Sequence, residues 1–195
     1  SVDQVLIPLI ERYSGKVCGK EFSVCYNPSF IALGSVIRNI TNPDFVLLGT
    51  SDDYGGEKLI NVYHHFLNNK APIRRMSVIS AEITKIALNA FVTMKISFAN
   101  FIQMICHQYE GADAADITTA LGYDQRIGKS CLTPGTPFGG PCFPRDNRCF
   151  SKFVDHIGLE SPLALATDKM NGLVQQHLIT LAIEKIKSHN INHVM

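Results

Sequence analysis

The sequence predicts an α/β region over residues 1–78 and an all-α region over residues 79–195, on three observations. Helical and strand signals alternate up to about Val78, the pattern of a partial doubly wound sheet. The run Phe45-Val46-Leu47-Leu48 is continuously apolar, which suits a strand buried on both faces of a parallel sheet. From Ser80 onward apolar residues recur at helical spacing and strand signals stop.

Each element has a local cause. Val2, Val5, Leu6, Leu9 and Ile10 recur at helical spacing before Gly15, and Phe22 to Tyr26 reads as a short strand ending at Asn27-Pro28. After the Phe45 strand, Gly56 to Leu67 is an amphipathic helix and Pro72 to Val78 a weaker strand. Ser80 is the expected N-cap of a long helix with Glu82 in its first turn, sustained by Ile83, Ile86, Ala87, Ala90, Phe91, Met94, Phe98, Phe101, Ile102 and Ile105 as far as Gly111. That helix is about 45 Å long at the usual rise and apolar over most of its girth, so it needs cover that a second copy of the chain would supply. Asp113 caps a short helix ending at Gly122, and a loop dense in Gly and Pro runs from Tyr123 to Pro144. Asp146 is the expected cap of a helix stopped by Gly158, and Ser161-Pro162 opens a last helix to about His189.

The chain has 195 residues, 46% of them hydrophobic, and a formal charge of +1. Lys, Arg, Asp and Glu are evenly scattered, so there is no basic stripe for a nucleic acid. No apolar run reaches the roughly 18 residues of a membrane span. Six cysteines, none in a C-x-x-C pair, indicate neither a zinc site nor a disulfide framework and fit a reducing cytoplasmic setting. His64 and His65 are adjacent, diverge on a helix, and read as surface residues; no metal is expected.

Chemistry concentrates in two places. Lys85 and Asn89 stand four apart on one helix face, which is either solvated or closed by a carboxylate such as Glu82, or forms a clamp for an oxyanion or phosphate. Cys142 lies in Gly139-Gly140-Pro141-Cys142-Phe143-Pro144-Arg145-Asp146. An isolated cysteine is commonly a small core hydrophobe, the class expected for Cys18, Cys25, Cys106 and Cys149. The glycines and the helix start around Cys142 favour a thiolate nucleophile instead. Asp146 is either a cap or a proton acceptor. Arg126 is either a surface arginine or a phosphate or hydroxyl contact, and Phe138 either packing or an aromatic wall for a base or sugar.

These residues, with Ala81-Glu82-Ile83-Thr84-Lys85 to Phe91, Lys95 to Asn100, Gly111-Ala112-Asp113, Asp124-Gln125-Arg126-Ile127-Gly128 and Asn27-Pro28-Ser29-Phe30, closely resemble the UDP-glucose/GDP-mannose dehydrogenases, a family of nucleotide-sugar 6-dehydrogenases. The resemblance implies NAD-dependent, four-electron oxidation of a sugar-nucleotide C6 alcohol to the carboxylate. Cys142 would form the thiohemiacetal and thioester, with Lys85, Asn89 and Asp146 in the catalytic set. Phe30, Arg126, Phe138 and Gly139 would contact the sugar nucleotide, Arg126 that of the neighbouring subunit. Residues 1–78 would be the C-terminal part of a Rossmann-like NAD-binding domain, and residues 79–195 a central domain that dimerises through its long helix. The chain departs from the family at Ser29 and Leu33, where the family has glutamates associated with thioester hydrolysis. It also has no G-x-G-x-x-G turn for the NAD pyrophosphate, so it is expected to be a fragment or truncated form, inactive when isolated. The alternative is a non-catalytic dimerisation or sugar-nucleotide-binding module.

Overall fold

The computed structural model describes residues 1–32 and 34–189. They form two compact units, residues 1–85 and 86–195, with the division falling inside one long helix.

The first unit opens on a π turn, Val2–Leu6, that continues into α1, Ile7–Ser14. Gly15 ends it in the left-handed conformation at φ 70°. The predicted strand at Phe22 to Tyr26 narrows to β1, Cys25–Tyr26, because Phe22 folds back instead: its carbonyl accepts the Gly19 N–H at 2.8 Å. A six-residue helix that sequence periodicity did not expose, α2 (Val36–Thr41), follows Ser35. Then come β2 (Val46–Thr50), α3 (Asp53–Phe66) and β3 (Ile73–Met76), near the places expected.

The sheet order is β1-β2-β3. β2 and β3 run parallel, from Val46 opposite Ile73 to Gly49 opposite Met76, while β1 pairs antiparallel with β2 through Cys25–Thr50 and Tyr26–Gly49. Val46, Leu47 and Leu48 are all buried, as their unbroken apolar run requires of a central strand. α3 starts earlier than Gly56 because Asp52 caps it, its carboxylate accepting the Gly55 N–H at 2.8 Å. Arg75 of β3 fastens that helix start, donating to the Asp52 carbonyl at 2.9 Å and the Thr50 hydroxyl at 3.0 Å while pairing with Asp53.

Gly49 of β2 lies against the beginning of α4, Val78–Cys106. A Cβ there would stand 2.8 Å from the Ala81 Cβ and 2.9 Å from the Val78 Cα, which is backbone and cannot turn aside. Gly49→Ala should therefore destabilise the protein by about 1–3 kcal/mol, seen as a lower urea midpoint at unchanged slope.

α4 is capped by Ser77 rather than Ser80: the Ser77 hydroxyl accepts the Ser80 N–H at 3.3 Å, placing Ser80 in the first turn. The helix ends at Cys106, short of Gly111, which turns the chain at φ 81°. In the second unit α4 is followed by α5 (Ala114–Gly122), capped by Asp113 as expected, then α6 (Phe143–His156) and α7 (Pro162–Ser188). α6 and α7 pack through hydrogen-bonded polar groups, although the buried Asn147 Oδ1 has no partner. Asn147 is fully buried and donates to the Ala164 carbonyl at 3.0 Å and the Asp168 carboxylate at 2.8 Å, and the Ser151 and Ser161 hydroxyls share a hydrogen bond of 2.6 Å. α4 turns an unusual face inward: Thr93, Ser97 and Asn100 are buried while Phe91, Phe98, Phe101 and Ile105 are exposed.

Candidate active site

Two groups of the expected residues form, one in each unit. In the first, the Lys85 ammonium donates to the Ser29 carbonyl at 2.8 Å and sits 4.6 Å from the centroid of the Phe30 ring. Both partners are electron-rich and uncharged, so no carboxylate offsets the ammonium here, and of its three N–H donors one is given to Ser29. Glu82 does not close this face; its Oε1 accepts the Val2 N–H at 3.0 Å instead. Leu33, the other departure from the family pattern near Phe30, lies outside the described residues.

In the second unit Asn89 donates from Nδ2 to Asp146 Oδ2 at 2.6 Å, and Arg145 Nε donates to Asp146 Oδ1 at 2.8 Å. The Asp146 carboxylate is thus buried, at 6% exposure, but each oxygen has a donor, which offsets the cost of removing it from water. Asp146 is not the cap of α6. It lies one turn inside the helix, where its N–H bonds the Cys142 carbonyl at 2.8 Å, and Cys142 itself occupies the cap position. Pro144 explains the shift, since proline is favoured in the first helical turn and so moves the helix start back to Phe143. Cys142 is exposed and makes no side-chain cap bond, leaving its sulfur uncommitted at the positive end of the helix. The Arg145 guanidinium is held further in its charged form first by the hydrogen bond it donates to Asp146 and by that carboxylate's charge, and also by Cys142 and Cys149. Cys106 is buried as expected of a core cysteine, but Cys149 is exposed on α6.

The loop before Cys142 is gripped twice by asparagine amides. Asn100 of α4, 1% exposed, accepts the Gly135 N–H at 2.7 Å and donates to the Thr136 carbonyl at 3.0 Å. Asn171 of α7 does the same to a single residue, accepting the Phe138 N–H at 2.8 Å and donating to its carbonyl at 2.9 Å. A carboxamide pairs with the backbone as a strand neighbour would, so a Gly- and Pro-rich segment gains rigidity without sheet structure. Sequence reasoning gave neither residue a role. The signal was present at Asn100, an amide set in the apolar run Phe98-Ala99-Asn100-Phe101. Gly140, just before Pro141-Cys142, has φ 78° and turns the chain toward the helix.

Phe138 and Arg126 lie outside these two groups. Phe138 is buried, at 7% exposure. Arg126 is exposed and forks onto Asp124, with Nε at 3.0 Å and Nη2 at 2.6 Å; that pair holds the Asp124 carboxyl below the usual carboxylate range. Lys95 steadies the same loop by donating to the Ile127 carbonyl at 3.0 Å. At the strand-to-helix turn between β2 and α3 the Gly55 N–H is taken by Asp52 and Asp53 adds a second carboxylate, so this helix start is not an anion site.

The comparisons agree with this architecture. Residues 79–172 match the model of the UDP-glucose/GDP-mannose dehydrogenase family, central domain. Among curated relatives, UDP-glucose 6-dehydrogenase AglM of Haloferax volcanii is 31% identical over 183 residues, covering 93% of this chain and 42% of that protein. The UDP-glucose 6-dehydrogenase of Mus musculus is 39% identical over 127 residues, covering 63% of this chain and 25% of its own length. Among solved structures, a UDP-glucose dehydrogenase from Pyrobaculum islandicum superposes with a TM-score of 0.83 at 32% identity, covering 92% of this chain and 40% of that one. A GDP-mannose dehydrogenase from Pseudomonas aeruginosa gives a TM-score of 0.59 at 30% identity, covering 94% and 42%. The chain therefore spans between a quarter and about two-fifths of the length of these relatives. By its sequence, its fold and the match over residues 79–172, the chain belongs to the UDP-glucose/GDP-mannose dehydrogenase family and carries that family's central domain.

Proposed function

We propose that the protein takes part in oxidising the C6 alcohol of a nucleotide sugar to a carboxylate, with Cys142 as the covalent nucleophile. The observation that carries this reading is an exposed thiol at the start of α6, one turn from a buried carboxylate that is bonded to Asn89. NAD takes the hydrides in the family's enzymes, and this chain's own part is the carbonyl chemistry. The Cys142 thiolate adds to C6 of the aldehyde, a C–S bond forms, and the carbonyl π pair moves onto oxygen. That oxyanion meets the second N–H of the Asn89 amide. At the thioester stage water adds to the carbonyl carbon and passes its proton to Asp146. The C–S bond then breaks and its electron pair returns to sulfur.

Site protection tests the reading without requiring turnover. UDP-glucose or GDP-mannose at about ten times its dissociation constant should slow iodoacetamide alkylation of Cys142 roughly tenfold. Cys131 and Cys149, which are also exposed, should react at unchanged rates in the same peptide map. Equal alkylation of Cys142 with and without either nucleotide sugar would overturn it and leave the non-catalytic module.

The proposed partner is a second copy of the chain along α4. Phe91, Phe98, Phe101 and Ile105 are spaced at heptad intervals and exposed, which suits a helix seam. Sedimentation should show a dimer that Phe98→Glu weakens by about 30-fold or more. A monomer at all concentrations would exclude this partner.

A further inference from the structure

His107 and His177 have no part in the chemistry above, yet they meet. His107 is the first residue after α4, and its Nδ1 lies 2.7 Å from the Nε2 of His177 on α7. The rings meet edge to edge, with centroids 5.0 Å apart and planes inclined by 26°. An imidazole nitrogen is either an N–H donor or a bare acceptor, so a contact this short needs one nitrogen with hydrogen and the other without. The pair satisfies that when neutral or singly charged. With both rings protonated, two N–H groups point at each other and two like charges stand side by side. No hydrogen bond is then possible.

The surroundings supply little compensation. Within four residues of His107 the titratable groups are Cys106, Tyr109 and Glu110, and on α7 there is none within four residues of His177. Among the described residues, neither ring takes part in an ion pair or in another side-chain hydrogen bond. His107 is exposed, so protons reach the pair directly from solvent.

We propose that His107 and His177 form a pH-sensitive clasp that fastens α7 to the end of α4 near neutral pH and releases it in mild acid, across the range where imidazoles change charge. The sign follows from proton counting. Two imidazolium rings cannot share one N–H···N bond, so a second proton breaks the contact, and the clasp holds at the alkaline side and is lost as pH falls. The effect extends along α7, because Asn171 and Asp168 on the same helix hold Phe138 and Asn147. Acid release therefore slackens the support of the loop that carries Cys142.

Amide hydrogen exchange on the whole chain tests this. After correction for intrinsic chemistry, amides of residues 173–181 should exchange about tenfold faster at about pH 5.5 than at about pH 7.5. In His177→Gln and His107→Asn, which lack one of the two titrating rings, that contrast should shrink to about twofold or less. An undiminished contrast in both variants, or none in the unsubstituted chain, overturns the proposal. If a variant does not fold, the imidazole ¹⁵N spectrum of the unsubstituted chain near pH 7.5 decides. One hydrogen-bonded N–H shared between two rings supports the clasp, and two independently titrating, solvent-like imidazoles refute it.

Discussion

Replacing Cys142 by serine in the active protein should reduce conversion of a nucleotide-sugar 6-aldehyde to its acid by about four orders of magnitude or more. An unactivated hydroxyl is not ionised at neutral pH, and an alkoxide is a poorer leaving group than a thiolate, so both the addition and the hydrolysis suffer. The fold should not. Cys142 is exposed, makes no side-chain cap bond, and sits where serine is a preferred residue. The measurement is acid formation from the aldehyde alongside a thermal melt. An unchanged rate in the serine variant would remove Cys142 from the chemistry, and a lowered melting temperature would show that the sulfur packs more than its exposure indicates.

Asn100→Leu should cost about 1–3 kcal/mol, because it leaves the Gly135 N–H and the Thr136 carbonyl without their partner on a side chain that is itself buried. Leucine keeps the branched shape and is larger, so a cavity is not the cause and crowding adds to the loss. Urea unfolding measures the loss, and limited proteolysis should find residues 133–138 cut faster than in the unsubstituted chain. Asn100→Asp separates the two bonds: its carboxylate still accepts from Gly135 but faces the Thr136 carbonyl with like charge. A loss below about 0.5 kcal/mol for leucine would mean that the loop does not rely on this grip.

The parts of the fold that were legible are those in which one physical effect dominates. The run at Val46 to Leu48 gave a buried parallel strand because nothing polar interrupts it, and Asp113 gave a helix start because a carboxylate at that place accepts two N–H groups, from Ala115 and Asp116. Competing effects blurred the rest. α2 is only six residues long, too short for apolar periodicity to stand out. At Ser77 and Ser80 two hydroxyls could each cap the same helix, and the choice depends on where β3 releases the chain. At Cys142 and Asp146 the proline at position 144 decided the helix start over the better capping side chain.

The candidate site was legible as a list of residue types and not as a set of bonds. That Asn89 would pair with Asp146, fifty-seven residues away, follows from the packing of α6 on α4 and from no local pattern. Lys85 shows the same limit, since its partners Ser29 and Phe30 come from a turn held by Asn27, whose amide donates to the Leu47 carbonyl at 2.9 Å.

α4 wears its aromatic rings on the outside and hides Thr93, Ser97 and Asn100 within. With the proposed dimer along α4, the protein has no single melting point. If the outer rings are covered only by association, dilution uncovers them, and each tenfold fall in concentration should lower the temperature at which the chain unfolds.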